Sequence, residues 1–109
     1  MAIQHAVSGQ PVDVLPTANA QAERQTVALF KTNELEVMRL VLPMGKSMPA
    51  HKVAGDITVQ CLEGAIGFNS GGNEQVLKAG ELLYLAGGVV HSLTGLQDSC
   101  ALLHIVLRK

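Results

Sequence analysis

From Thr26 to the C-terminus, short apolar runs alternate with clusters of turn residues, and no segment repeats apolar positions at helical spacing over three turns. TVALFK (26–31) and ELEVMRLVL (34–42) read as strands joined through Thr32 and Asn33. In the second of these, Glu34, Glu36, Met38 and Leu40 alternate with Leu35, Val37, Arg39 and Val41, the pattern of a strand with one wet face. Pro43 ends that strand, and PMGKSMPAH (43–51) reads as a loop leading to His51. ITVQCLE (57–63) and AIGFNS (65–70) follow as strands on either side of Gly64. Ser70, Gly71, Gly72 and Asn73 give the clearest hairpin signal in the chain, because glycine accepts the positive φ of a tight turn. VLKA, ELLYLA, VHSLTGL and CALLHIVL complete the series, separated by Gly80, by Gly87 and Gly88, and by Gln97 and Asp98. Only residues 17–24 (TANAQAER) are Ala-rich, and they are too short and too evenly polar for more than one helical turn or a loop. Short strands without intervening helices predict an all-β antiparallel barrel or jelly roll.

At 109 residues the chain is the size of one domain with one core. A net charge of −1, scattered Lys and Arg, and 3% aromatic residues exclude a nucleic-acid binding face. Hydrophobic residues make up 48% and charged residues 16%, a low charged share for a small soluble domain. Strands apolar on both faces, such as CALLHIVL and ELLYLA, therefore predict a second copy of the chain as partner, a homodimer. No apolar run reaches the roughly 18 residues of a membrane span, and MAIQHAVSGQ does not have the make-up of a signal peptide. Cys61 and Cys100 fit neither a CxxC pair nor a zinc knuckle and read as buried thiols of a cytoplasmic protein.

The chemistry concentrates in two segments, HKVAGDITVQCLEG (51–64) and GELLYLAGGVVH (80–91). Gly45, His51 and Gly64 match the spacing of a first motif G-x5-H-x-H-x3,4-E-x6-G, and Gly80, Gly88 and His91 match a second, G-x5-P-x-G-x2-H-x3-N. On these residues the chain resembles a small single-domain cupin of the RmlC-like, cupin-2 conserved barrel type, from about Leu42 onward. The resemblance implies a double-stranded β-helix, with a motif core at 42–107 and an N-terminal arm at 1–24. It also implies pairing of two copies through strand faces or by exchange of an N-terminal strand, for which Val12 to Leu15 is the candidate.

In cupins the two histidines and the glutamate of the first motif, with the histidine of the second, bind a divalent metal such as Fe, Mn, Ni or Zn. An H-x-H pair suits this task because alternate side chains of a strand share one face. Here the second histidine position is Val53, and the glutamate position is Ile57 or Thr58 according to spacing. Ala86 and Gly95 stand where the second motif has proline and asparagine. His51 and His91 remain as metal candidates, and two imidazoles fall short of the three protein ligands usual for catalytic zinc. His104 and Gln60 are candidates for a third donor, with faces that the sequence does not fix. Asp56, one residue before the glutamate position, reads as a turn residue after Gly55. His5 has no partner in sequence. Ser92 next to His91 is no nucleophile pair, since neighbours on a strand point apart. Met38, Met44 and Met48 read as adaptable packing.

The expected pocket is thus His51, Val53, Ile57, Gln60, His91 and His104. Two accounts of its function compete, beside a third in which the barrel is a stable dimer whose pocket has drifted out of use. In one the barrel receives a small molecule, with the histidines hydrogen-bonding a polar group between apolar walls. In the other a metal-dependent enzyme of dioxygenase or isomerase type acts on a small organic acid or sugar derivative. Fold alone does not choose between them.

Overall fold

Alternation of inward apolar and outward polar side chains builds nine strands and no helix among the described residues of the computed structural model, which are 7–15 and 26–107. The segment 17–24 and His5 lie outside them. The strands are β1 (Val27–Lys31), β2 (Leu35–Leu42), β3 (Ser47–His51), β4 (Ile57–Glu63), β5 (Ala65–Ser70), β6 (Asn73–Lys78), β7 (Leu82–Leu85), β8 (His91–Gly95) and β9 (Ser99–Val106). They form a five-stranded sheet in the order β1-β2-β9-β4-β7 and a four-stranded sheet in the order β3-β8-β5-β6, with every pairing antiparallel. This is the expected antiparallel jelly roll.

The core lies between the sheets. Leu40 and Leu42 of β2, Ile57, Val59 and Cys61 of β4, and Ala101 and Leu103 of β9 face Ile66 and Phe68 of β5, Leu77 of β6 and Leu93 of β8. Each fully buried aliphatic or aromatic side chain stabilises the fold by about 1.5–3 kcal/mol relative to exposure. Burial also raises the pKa of the Cys61 thiol, partly opposed by the Glu63 backbone and reinforced by the negative charge of Glu81, and the thiol donates to the Glu63 carbonyl at 3.3 Å. The bonded thiol is held neutral and inward as packing. Cys100 pairs with Val41, on the opposite face of the five-stranded sheet.

Two expectations need correction. Residues 43–51 are not all loop, because Ser47–His51 forms β3, an edge strand paired only with β8. An edge position tolerates Pro49, which has no N–H to give to a ladder. In β2, one wet face was expected, but the face opposite the core is covered: Val37, Arg39 and Val41 are all buried, Arg39 with only 3% exposure. The Nε and Nη2 atoms of Arg39 lack hydrogen-bond acceptors there. Burial of that face depends on what packs over a sheet rather than on the strand's own pattern.

Candidate functional site

His51 ends β3 and His91 begins β8, and the two are direct partners in the ladder. Their ring centroids lie 4.5 Å apart with an interplanar angle of 53°. His51 is exposed, whereas His91 is 4% exposed. Phe68 on the neighbouring β5, whose backbone pairs with Leu93 of β8, stacks on His91 at 5.7 Å and 11°. One imidazole is thus at the mouth of the barrel and the other is set into its wall.

Each ring is tied down in the same way. Nδ1 of His51 lies 3.0 Å from the Pro49 carbonyl oxygen, and Nδ1 of His91 lies 3.0 Å from that of Val89. A carbonyl can only accept, so in both rings Nδ1 carries the proton and donates it. In the neutral ring this leaves the Nε2 lone pair as the free function. Backbone bonds of this kind orient metal- and ligand-binding histidines in general. The loop ahead of β4 and the turn ahead of β8 are themselves joined. The Gly87 N–H donates to Asp56 Oδ1 at 3.0 Å, and the Gly88 N–H donates to the Val53 carbonyl at 2.8 Å. These bonds fix the two segments that carry the histidines.

Solved structures with this architecture can now be named. No protein-family profile and no curated protein matches the chain. Among solved structures, a conserved protein of unknown function from Streptococcus pyogenes superposes with a TM-score of 0.77 at 18% identity, over 100% of this chain and 96% of that one. A cupin superfamily protein from Desulfitobacterium hafniense gives 0.75 at 14% identity, over 91% and 100%. An RmlC-like cupin family protein with a double-stranded β-helix fold, from Methanocaldococcus jannaschii, gives 0.71 at 17% identity, over 84% and 85%. The fold is the cupin fold.

Within this cupin barrel the predicted site residues divide into two groups. Ile57 is buried in the interior cluster and Val53 packs against it, on the side of His51 and His91. Gln60 and His104 are not there. Val59, Cys61, Leu103 and Ile105 point inward, so alternation turns Gln60 and His104 to the outer face of the five-stranded sheet. There the His104 Nδ1 lies 3.1 Å from the hydroxyl of Thr58, its ladder partner. Neither residue reaches the histidine pair as a third donor. Asp56 is engaged as the acceptor for Gly87, in keeping with its reading as a turn residue.

The donor set therefore does not fit the divalent ions of the cupin resemblance. Two nitrogen donors remain, Val53 and Ile57 fill the other two positions with hydrocarbon, and no group of three His, Cys, Asp or Glu side chains converges among the described residues. Iron, manganese, nickel and zinc sites generally need at least one more such ligand. A cavity of about 420 Å³ lies elsewhere, between the arm residues Val7–Gln10 and Val12 and the end of β1 at Phe30–Thr32. No predicted site residue lines it.

Two placements escape sequence reading. Phe68 carries no motif signal, and its stacking on His91 follows from the pairing of β5 with β8. Met48 reads as packing, but the register shift in β3 between Met48 and His51 brings both to the inner face.

Proposed function

We propose that this cupin is a binding protein that holds its ligand at the Nε2 atoms of His51 and His91. The observation that supports this most directly is the pair of Nδ1–H bonds to the Pro49 and Val89 carbonyls, which commit one nitrogen of each ring and free the other. A small molecule offering a hydrogen-bond donor would meet two acceptors beside an apolar wall that includes Val53 and Ile57. His51→Ala and His91→Ala should each weaken retention of the ligand that co-purifies with the protein at least about tenfold, the loss expected when a buried polar contact worth about 1.5 kcal/mol is removed. Their far-ultraviolet circular dichroism should match the parent. Unchanged retention in both variants would sink the proposal.

The second reading is a metal-dependent enzyme. It is favoured by fold likeness to a salicylate 1,2-dioxygenase from Pseudoaminobacter salicylatoxidans, solved as adducts with gentisate, at TM-score 0.64 and 19% identity over 67% of this chain and 20% of that one. The incomplete donor set weighs against this reading, since no third His, Cys, Asp or Glu joins the pair in a metal-holding group among the described residues.

We also propose a homodimer in the cytoplasm, whose reducing conditions suit the two buried cysteines. Val7 (60% exposed), Val12 and Leu15 on the arm leave apolar side chains uncovered, as do Leu82 (63%) and Tyr84 (64%) on edge strand β7. Exchange of the Val12–Leu15 segment between copies would cover such surface. Sedimentation equilibrium should give twice the chain mass at micromolar concentration, and a lone monomer there would refute the pairing.

A further inference from the structure

We infer that Ser70, Asn73 and Gln75 extend the histidine pair into a row of hydrogen-bonding side chains along the mouth of the barrel, and that this row selects an uncharged, hydroxyl-rich ligand over an acid. The inference rests on the reading that the two Nε2 atoms are the binding groups, and it names the ligand class.

Strand register makes the row. His51 pairs with His91, His91 with Ser70, and Ser70 with Asn73, so one line of partners crosses the whole sheet β3-β8-β5-β6. Residues directly opposite in a ladder share a face. The core fixes which face it is. Leu93 of β8, Ile66 and Phe68 of β5 and Leu77 of β6 lie in the interior cluster, and His91, Ser70, Asn73 and Gln75 stand an even number of steps from them on the same strands. The next line along the strands is Met48, Leu93, Phe68 and Gln75. Gln75 is thus the ladder partner of Phe68, the ring that stacks on His91. His91 is buried and Ser70 partly buried, whereas His51, Asn73 and Gln75 are exposed, so the row opens to solvent. From β3 to β6 it covers roughly 14–15 Å between backbones, room for a ligand with several polar groups.

Chemistry selects the ligand. Neither line contains Lys, Arg, Asp or Glu. Glu74, the one acid of β6, alternates to the outer face, where its Oε1 comes 3.5 Å from the position that a Cβ on Gly67 would take. With Nδ1 donating to a backbone carbonyl, each Nε2 of the neutral pair can only accept. A carboxylate also only accepts, so an acid at the pair meets lone pairs with lone pairs. A hydroxyl donates to Nε2 and still accepts from the Ser70 hydroxyl or from an amide NH2 of Asn73 or Gln75. A compound with hydroxyls on successive carbons matches that sequence of groups along the row.

The test is a heteronuclear NMR titration of the full chain with sorbitol and, separately, with glucarate. The two share their internal hydroxyls and differ in having hydroxymethyl or carboxylate ends. Sorbitol should shift the side-chain NH2 signals of Asn73 and Gln75. It should bind at least about tenfold more tightly than glucarate, since a charged end left without a donor costs more than one lost hydrogen bond. Asn73 and Gln75 are exposed, so replacing them spares the fold. Asn73→Ala and Gln75→Ala combined should weaken sorbitol binding about tenfold, as two hydrogen bonds worth about 2–10-fold each are lost. A combined variant within about twofold of the parent, with His51→Ala impaired, would overturn the row and leave the histidine pair standing. Unchanged sorbitol binding in His51→Ala would overturn the histidine-pair reading and this inference with it. Glucarate bound as tightly as sorbitol, or no sorbitol bound by the parent, would overturn the assignment of the ligand class.

Discussion

A chain carrying Val53→His and Ile57→Glu should bind zinc or manganese at least about 100-fold more tightly than the parent. The two positions are where the first cupin motif has its second histidine and its glutamate, and both lie on the inner side with the histidine pair. The substitutions supply a third nitrogen and a carboxylate, moving the site from two donors to the three or four that divalent ions require. Because partners that only orient a ligand are worth 10–100-fold in affinity, two direct ligands should contribute at least the upper end of that range. The double variant should also become metal-dependent in its stability. Ile57 is buried, and an uncompensated carboxylate at that depth costs several kcal/mol. Metal that binds only the folded state returns stability as its concentration rises above Kd. Isothermal titration with each ion, and melting with and without a chelator, check both halves. Affinity equal to that of the parent, with the fold intact, would show that these positions do not converge on the histidines.

Turn chemistry and alternation made most of the fold legible. ITVQCLE and AIGFNS coincide with β4 and β5, and the Gly71–Gly72 turn leads into β6. The elements read less well are those decided by neighbours rather than by local pattern. Strand β3 is short, contains a proline and has alternation broken by a bulge, so its pairing with β8 could not be read from SMPAH alone. The faces of Gln60 and His104 depend on which side of the five-stranded sheet meets the second sheet. Both strands carry apolar residues on each face, so composition left that choice open.

The histidine pair was legible because motif spacing encodes it. What the spacing could not contain is the geometry that gives the pair its character. The bonds from Nδ1 to the Pro49 and Val89 carbonyls depend on backbone course, and the stacking of Phe68 depends on strand order. The same bulge that disguised β3 in sequence turns Met48 toward the interior cluster on the face that carries His51. Register, which a single strand does not specify, decides which face such a side chain takes.

Register also governs the largest stability effect expected from a single methyl group, at Gly64. Gly64 joins β4 to β5 with φ +79°, and Gly72, in the β5–β6 turn, has φ +82°. An alanine at either position bears the same left-handed backbone, at a cost of about 1–2 kcal/mol. Their surroundings differ. A Cβ at Gly72 would meet nothing within 4 Å, whereas at Gly64 it would lie 2.5 Å from the Asp98 carbonyl oxygen and 2.5 Å from Ser99 Oγ. That hydroxyl is 1% exposed as a residue and spans the corner between β5 and the start of β9. It accepts the Ala65 N–H at 3.1 Å and donates toward the carbonyls of Ala65 at 2.9 Å and Gln97 at 2.8 Å. Relieving the contact means shifting backbone at Asp98 and breaking this corner, an overpacking cost of about 1–3 kcal/mol beyond the φ term. Gly64→Ala should therefore lose about 2–5 kcal/mol and Gly72→Ala about 1–2 kcal/mol, read from urea midpoints at unchanged m. Adding Ser99→Ala to Gly64→Ala should cost less than the sum of the two single losses, because the first change removes one of the two clashing oxygens. Equal losses at the two glycines would mean that the β4–β5 corner yields without resistance, and that φ alone sets the requirement for glycine there.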